Sequence, residues 1–88
     1  MTIPTISING STKKMLVEDL CEAQHKLYEA IAAFKQCCPH PRDYQTAKDG
    51  EYGKARTEYL ARHAKLQEVH DELQEMAIKI HESAPDAR

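Results

Sequence analysis

The sequence predicts an all-α protein: an antiparallel two-helix hairpin with a short N-terminal extended segment, assembling into a dimeric helical bundle. Two long stretches show the periodicity of amphipathic helices, and a proline-rich break, Cys38-Pro39-His40-Pro41, separates them. The chain has 88 residues, which corresponds to one domain, and chains of this size bury only about 60% of their unfolded surface. A single hairpin is therefore expected to gain stability by association.

Residues 1–10 predict an extended segment ahead of the helices. Ile6 and Ile8 alternate with polar residues, as in a β-strand, and Asn9-Gly10 is a turn signal. Because a lone strand is unstable, we expect Ile6 and Ile8 to contact the bundle or a strand of another chain.

The first helix is predicted over about residues 12–37, within a hairpin that spans 11–83. Ser11 or Thr12 is a suitable N-cap. Heptad position a is occupied by Leu20, Leu27 and Phe34. Position d is occupied by Leu16, Ala23, Ala30 and Cys37, and position e by Val17, Ile31 and Cys38.

The connection is predicted over about residues 38–49. Pro39 and Pro41 end the first helix, because proline has no N–H to donate and disfavours a helical conformation in the residue before it. We expect Cys37 and Cys38 to fill the end of the core as small apolar groups. Asp49 is positioned to cap the second helix.

The second helix is predicted over about residues 50–83, and residues 84–88 are expected to form a disordered tail. Position a is occupied by Tyr52, Tyr59, Leu66, Leu73 and Ile80. Position d is occupied by Ala55, Arg62, Val69 and Met76, and position e by His63, His70 and Ala77. Arg62 interrupts an otherwise apolar d row.

The apolar rows predict an oligomer interface. In a single hairpin, the e residues of both helices would remain partly exposed, and a two-fold symmetric dimer would bury them. The candidate interface residues are Leu16, Leu20, Leu27, Phe34, Tyr59, Leu66, Leu73 and Ile80.

The charge pattern favours a solvated surface over a nucleic-acid interface. The chain has 12 Lys and Arg against 14 Asp and Glu, a net charge of −2, whereas nucleic-acid binders usually show a basic patch. Lys13 and Lys14 are the only adjacent basic pair. A nucleic-acid-binding accessory or regulatory protein is therefore the alternative function and not the preferred one.

The cellular setting is predicted from the cysteines and from the apolar segments. Three cysteines are an odd number, and two of them are adjacent, which argues against a disulfide framework. The N-terminus lacks the features of a signal peptide, and no apolar stretch approaches the roughly 20 residues of a membrane span. These features predict a reduced, cytoplasmic protein with no membrane partner.

The residues capable of chemistry do not form a recognisable catalytic or metal site. Cys37, Cys38 and His40 resemble part of a zinc site but lack a second ligand pair at the usual spacing. His63 and His70 are seven residues apart, whereas chelating pairs on a helix are about three or four apart. We predict no catalytic residue, no metal and no cofactor, with a thiol- or metal-dependent enzyme as the remaining alternative.

The connection contains the candidate partner-binding residues, His40, Arg42, Asp43 and Tyr44. Tyr and Arg are enriched at binding hot spots, and two prolines reduce the entropy lost when this segment is ordered. The alternative is a structural role, in which Arg42 and Asp43 form a salt bridge that orders the connection.

Three short motifs resemble a group of small proteins encoded by bacteriophages, prophages and other bacterial genomes. Asn9-Gly10-Ser11 matches their Asn-Gly-Ser/Thr start. The stretch 39–44 matches their Pro-x-Gly-Arg-Asp-Tyr-Tyr motif, and the stretch 58–62 matches their Glu-His-x-Ala-Arg motif.

The chain departs from those motifs at three positions. Pro41 replaces a glycine, Gln45 replaces the second tyrosine, and Tyr59 replaces the histidine. Pro41 removes the freedom to adopt positive φ, so the connection is expected to differ here. The resemblance implies a phage-related origin and no reaction.

The function predicted from these features is that of a non-enzymatic, self-associating helical interaction module. Its expected partners are a second copy of itself, most simply in a homodimer, and a protein that the sequence does not identify.

Overall fold

The computed structural model describes residues 1–4 and 12–83. Every regular element within these residues is helical. The two long elements are α1, Lys13–Phe34, and α2, Glu51–Glu82, and 3₁₀ turns form at Lys35–Cys37 and Pro41–Tyr44. The prediction of an all-α fold is confirmed. The strand predicted at Ile6 and Ile8, the turn at Asn9-Gly10 and the tail at 84–88 lie outside the described residues.

The N-terminus of α1 is capped by a side chain. Thr12 has an extended backbone, with φ −71° and ψ 156°, and its Oγ1 accepts a hydrogen bond from the Met15 N–H at 3.1 Å. This bond satisfies one of the N–H groups that a helix leaves unpaired at its start. At its other end, α1 tightens into the 3₁₀ turn Lys35–Cys37 just before Pro39.

The start of α2 depends on a glycine. The prediction that Asp49 caps α2 is wrong, because Gly50 occupies the N-cap position with φ 86° and no side chain caps this end. Glycine adopts this left-handed conformation without a steric penalty. The Glu51 N–H donates instead to the Lys48 carbonyl at 3.1 Å, so a backbone turn begins the helix.

The two long helices lie side by side and run in opposite directions. Lys13 Nζ, at the start of α1, donates to the His81 carbonyl near the end of α2 at 3.1 Å. At the other end of the pair, the ring of Phe34 stacks on the ring of Tyr59, with centroids 4.9 Å apart. These two contacts define the register of the pair over its whole length.

The buried residues show which rows the helices turn towards each other. Among the described residues, the buried hydrophobic side chains are Ile31, Tyr59, Ala77 and Ile80. Tyr59 and Ile80 belong to the a row, whereas Ile31 and Ala77 belong to the e rows. The expectation that Ile31 and Ala77 stay partly exposed in a single chain is therefore wrong. The rows that meet within the chain are a and e.

The d rows remain largely uncovered. Ala23 and Ala30 on α1 and Arg62 and Val69 on α2 are exposed, while Leu16, Ala55 and Met76 are half-buried. Cys37 and Cys38 are also exposed. The prediction that these two cysteines fill the end of the core is wrong, because the chain turns away through the 3₁₀ turn before another element can cover them.

The chain is too elongated to enclose a large core. Its Cα positions span 67 × 19 × 17 Å, and its radius of gyration is 19.4 Å, against about 12 Å for a compact domain of this length. Among the described residues, each long helix packs along its length against the other long helix alone and therefore keeps other faces open.

Candidate functional site

The d rows of the two helices form one continuous surface. On each helix the d row lies on one side of the a row, and the e row lies on the other side. Because the helices are antiparallel, like-lettered flanks lie on the same side of the pair. We call this surface the d face, and it comprises Leu16, Ala23, Ala30, Cys37, Ala55, Arg62, Val69 and Met76.

The d face is apolar except at Arg62. Val69 is 49% exposed, which is a large fraction for a valine at the middle of a helix. On α1, Ala23 and Ala30 present only methyl groups, so a neighbouring helix could approach them closely. Exposed contiguous apolar surface of this kind commonly marks an interaction site.

Charged residues at position g border the d face. On α1 the row reads Thr12, Asp19, Lys26 and Ala33, and on α2 it reads Glu51, Glu58, Lys65, Glu72 and Lys79. All of these side chains are exposed. From Glu58 to Lys79 the sign of the charge alternates at every heptad, and coiled coils use charged rows of this kind to select partners and orientation.

The opposite side of the pair holds two shallow clefts between the helices. The larger one, about 370 Å³, is lined by Val17, Cys21, Ala77, Ile78, His81 and Glu82. The smaller one, about 170 Å³, is lined by Tyr28, Ile31, Ala32, Lys35, His63, Gln67 and His70. A third depression of about 520 Å³ follows residues of α2 alone, from His63 to Glu75, so it is the surface of one helix.

His63 and His70 lie in the contact between the helices. The side chain of His70 is 16% exposed, and its ring centroid lies 6.4 Å from that of Tyr28. His70 Nδ1 lies 3.2 Å from an Asp71 carboxylate oxygen, to which Gln67 also donates at 3.1 Å. These hydrogen bonds, that of His70 first, lower the pKa of Asp71. Within 1–4 and 12–83, no group of three or more His, Cys, Asp or Glu side chains is arranged to hold a metal ion.

The predicted partner-binding residues lie in and beside the 3₁₀ turn Pro41–Tyr44. His40 precedes this turn in an extended conformation, and its Nδ1 accepts the Arg42 N–H at 3.1 Å. The Asp43 N–H donates to the His40 carbonyl at 3.0 Å. His40 therefore acts as the cap of the turn through its Nδ1. Pro41 fits because the first position of a helical turn needs no N–H.

Arg42 and Asp43 leave their side chains in solvent. Both are exposed, and neither forms an ion pair within 4.0 Å with any residue that the structure describes. The salt bridge considered as the structural role for Arg42 and Asp43 is therefore not formed there. The Arg42 guanidinium is free to meet a carboxylate or phosphate from outside.

Aromatic contacts attach this connection to α2. The ring of Tyr44 lies against that of Tyr52, with centroids 5.9 Å apart and planes tilted by 56°. Tyr59 follows two turns later under Phe34. Burial, with a smaller contribution from the negative charge of Cys38 and Cys37 as thiolates, raises the pKa of the Tyr59 hydroxyl.

The residues predicted for the oligomer interface lie mostly at the contact between α1 and α2 of one chain. Tyr59 and Ile80 are buried, and the remaining six are half-buried. The d residues Ala23, Ala30 and Val69 are not among these candidates, although they are the more exposed. Their assignment to position d could have identified these residues, because it places them beside the a row.

No protein-family model, curated protein or solved structure matches the chain. Neither α1 nor α2 is long and apolar enough to cross a membrane.

Proposed function

We propose that the chain is a non-enzymatic interaction module, an antiparallel helical hairpin that pairs with a second copy to form a four-helix bundle. The observation that carries this proposal is the exposed d face. In an antiparallel four-helix bundle, the a and d rows point to the centre, and the e and g rows make the contacts with the two neighbouring helices. Within one chain the a and e rows of the two helices pack together, and the d and g rows remain largely exposed.

Burial gives the second copy a physical reason to bind. Val69 and Met76 on α2, with Leu16 on α1, would each lose their remaining contact with water at the centre of such a bundle. Burying a side chain of this size completely from full exposure is worth about 1.5–3 kcal/mol, and only the part still exposed in one chain is gained on pairing. Two copies would contribute the same residues, because a two-fold interface is formed by identical surfaces.

The biological setting is part of the proposal. Three exposed, unpaired cysteines suit a reducing compartment, so we place the module in the cytoplasm. The motifs at 9–11, 39–44 and 58–62 support a phage or prophage origin. The connection, with Arg42 in solvent, is the surface that we assign to a further protein partner.

Two residues with equal exposure provide a matched test of the d face. Val69 lies on this face and Ile78 on the opposite side of the pair, and each is 49% exposed. We expect Val69→Glu to convert a dimer into a monomer, because it would bury an unpaired carboxylate at the bundle centre. Ile78→Glu should remain a dimer.

Sedimentation equilibrium of the two variants, with circular dichroism to verify that both stay helical, distinguishes the outcomes. A dimeric Val69→Glu variant would exclude the d face as the interface. A monomeric Ile78→Glu variant together with a dimeric Val69→Glu variant would assign the interface to the side of the clefts.

A further inference from the structure

We propose that the two-fold axis of the dimer runs perpendicular to the helices, so that α1 packs against α1 of the second copy and α2 against α2. This inference rests on the proposed function, since it concerns the arrangement of that dimer. The surface that carries it is the pair of charged g rows that border the d face, and the occupant is a second copy of this chain.

Only two symmetric arrangements bring two d faces together. A two-fold axis parallel to the helices places α1 beside α2 of the second copy. A two-fold axis perpendicular to the helices and within the interface places each helix beside its own equivalent, in antiparallel orientation. In both arrangements the g rows of neighbouring helices meet. The charges on the g rows therefore discriminate between the two arrangements.

The part of the α2 g row from Glu58 to Lys79 is complementary to itself when it is reversed. The order of this part is Glu58, Lys65, Glu72, Lys79, and its midpoint lies between residues 68 and 69. Glu51, the first residue of the row, has no g position of the second α2 opposite it in this alignment, because α2 ends at Glu82. Rotation about this midpoint brings Glu58 opposite Lys79 of the second copy and Lys65 opposite Glu72. Symmetry repeats both contacts, so four opposite-charge contacts form along α2.

The g row of α1 has the same property at nearly the same level. Asp19 and Lys26 are related by a midpoint between residues 22 and 23. Counting from the stacked pair Phe34 and Tyr59 places this midpoint opposite residues 70–71 of α2. The two midpoints are thus two residues apart, about 3 Å along the helix, which flexible lysine side chains can span. A single two-fold axis perpendicular to the helices can therefore relate both α1 and α2 to their equivalents in the second copy.

The parallel axis brings like charges together. Rotation about an axis parallel to the helices cannot shift one chain along the other, so the register within the chain also applies between chains. Lys26 then lies opposite residue 67 of the second copy, nearer to its Lys65 than to its Glu72. Asp19 lies opposite residue 74, nearer to Glu72 than to Lys79. These contacts are repulsive.

Two of the six charged side chains that form the proposed contacts have partners within the chain. Lys26 Nζ lies 3.7 Å from Glu29, and Lys79 Nζ lies 2.9 Å from Glu75. All four side chains are more than half exposed, so these bonds contribute little and can be exchanged. Asp19, Glu58, Lys65 and Glu72 form no ion pair within 4.0 Å among residues 1–4 and 12–83.

Disulfide trapping tests the arrangement directly. Cys21, Cys37 and Cys38 are all exposed, so replacing them with serine leaves a suitable background. In that background Val69→Cys places one thiol per chain next to the perpendicular axis, and oxidation should yield a cross-linked dimer. Glu68→Cys, one residue away on the outer surface, is the control and should not cross-link.

A two-fold axis parallel to the helices predicts a different disulfide in the cysteine-free background. It places Ala23 beside Val69 of the second copy, so a mixture of Ala23→Cys and Val69→Cys chains would form the mixed disulfide in preference to either symmetric one. That result, with a dimeric mass, would overturn our arrangement and leave the proposed function intact. A monomeric mass for the cysteine-free chain would overturn both.

Charge reversal gives opposite signs for the two axes. With the perpendicular axis, Lys65→Glu faces Glu72 of the second copy, and we expect the dimer Kd to rise about threefold to tenfold at low salt. The double variant Lys65→Glu/Glu72→Lys should restore the original Kd. With the parallel axis, Lys65→Glu would relieve repulsion from Lys26 and lower the Kd, a result that would overturn the proposal.

Discussion

The ring of Phe34 stacks on the ring of Tyr59, with centroids 4.9 Å apart and planes inclined by 22°. This contact joins the last residue of α1 to the third turn of α2. Tyr59 is 7% exposed, so the stack removes aromatic surface from water at the end of the helix pair next to the connection.

Removing this stack should destabilise the helix pair. We expect Phe34→Ala to lower the free energy of unfolding by about 2–3 kcal/mol, less than for a fully buried phenylalanine because Phe34 is half-buried. Phe34→Leu should lose about half as much. Tyr28→Ala is the matched control, since Tyr28 is 62% exposed. Urea unfolding at one fixed protein concentration measures all three, and equal losses for Phe34→Ala and Tyr28→Ala would contradict the role of the stack.

Arg42→Ala should leave stability unchanged. The guanidinium makes no ion pair within the described part of the chain, so we expect the free energy of unfolding to change by less than about 0.5 kcal/mol. His40→Ala removes the cap of the 3₁₀ turn and should increase cleavage after Tyr44 by chymotrypsin in the native protein. A loss of about 1–3 kcal/mol in Arg42→Ala would instead indicate a structural charged hydrogen bond.

Much of this fold could be predicted from local signals. Thr12, Pro39 and Pro41 act through their own backbone and side-chain chemistry, so the ends of α1 followed from the sequence. The start of α2 did not, because Asp49 and Gly50 are both compatible with an N-cap. The choice depends on the backbone path through the connection, where the helix needs φ 86°, and glycine accepts that value.

The rows that meet within the chain could not be predicted from periodicity. The a and d pattern describes the centre of a complete bundle. It does not predict whether the e row or the g row faces the other helix of the same chain. Ile31 and Ala77 are buried and Val69 is exposed, so the chain uses e. The sequence predicts His40 as a partner-binding residue, but the hydrogen bond that its Nδ1 accepts from the Arg42 N–H depends on the geometry of the turn, which no motif encodes.

Arg62→Leu should strengthen the dimer. Arg62 is the only charged residue of the d face and points towards the proposed bundle centre with either axis. An apolar side chain there should lower the dimer Kd by at least about tenfold. Glu68→Leu, on the outer surface of the same helix, is the control for added hydrophobicity. A higher Kd for Arg62→Leu, measured by sedimentation, would show that Arg62 pairs with an acid of the second copy.

The hydrogen bonds to Asp71 predict a small pH dependence. Its pKa is lowered in the folded protein relative to the unfolded value of about 3.9. The stabilisation is therefore present above pH about 3.9 and is lost as the pH falls through the lower folded value. The melting-temperature difference between the wild type and Asp71→Asn should be present at neutral pH and vanish at the acid end. Glu68→Gln is the control, and a difference that persists below pH about 2 would contradict this origin.

The mass of the wild-type chain in solution tests most directly whether the d face of one chain binds a second copy, as proposed. Sedimentation equilibrium at micromolar concentration should give a dimer, twice the chain mass of 10.0 kDa. The melting temperature should rise with protein concentration, because association stabilises the folded state by mass action. A mass of 10.0 kDa at every concentration, with a constant melting temperature, would contradict the claim.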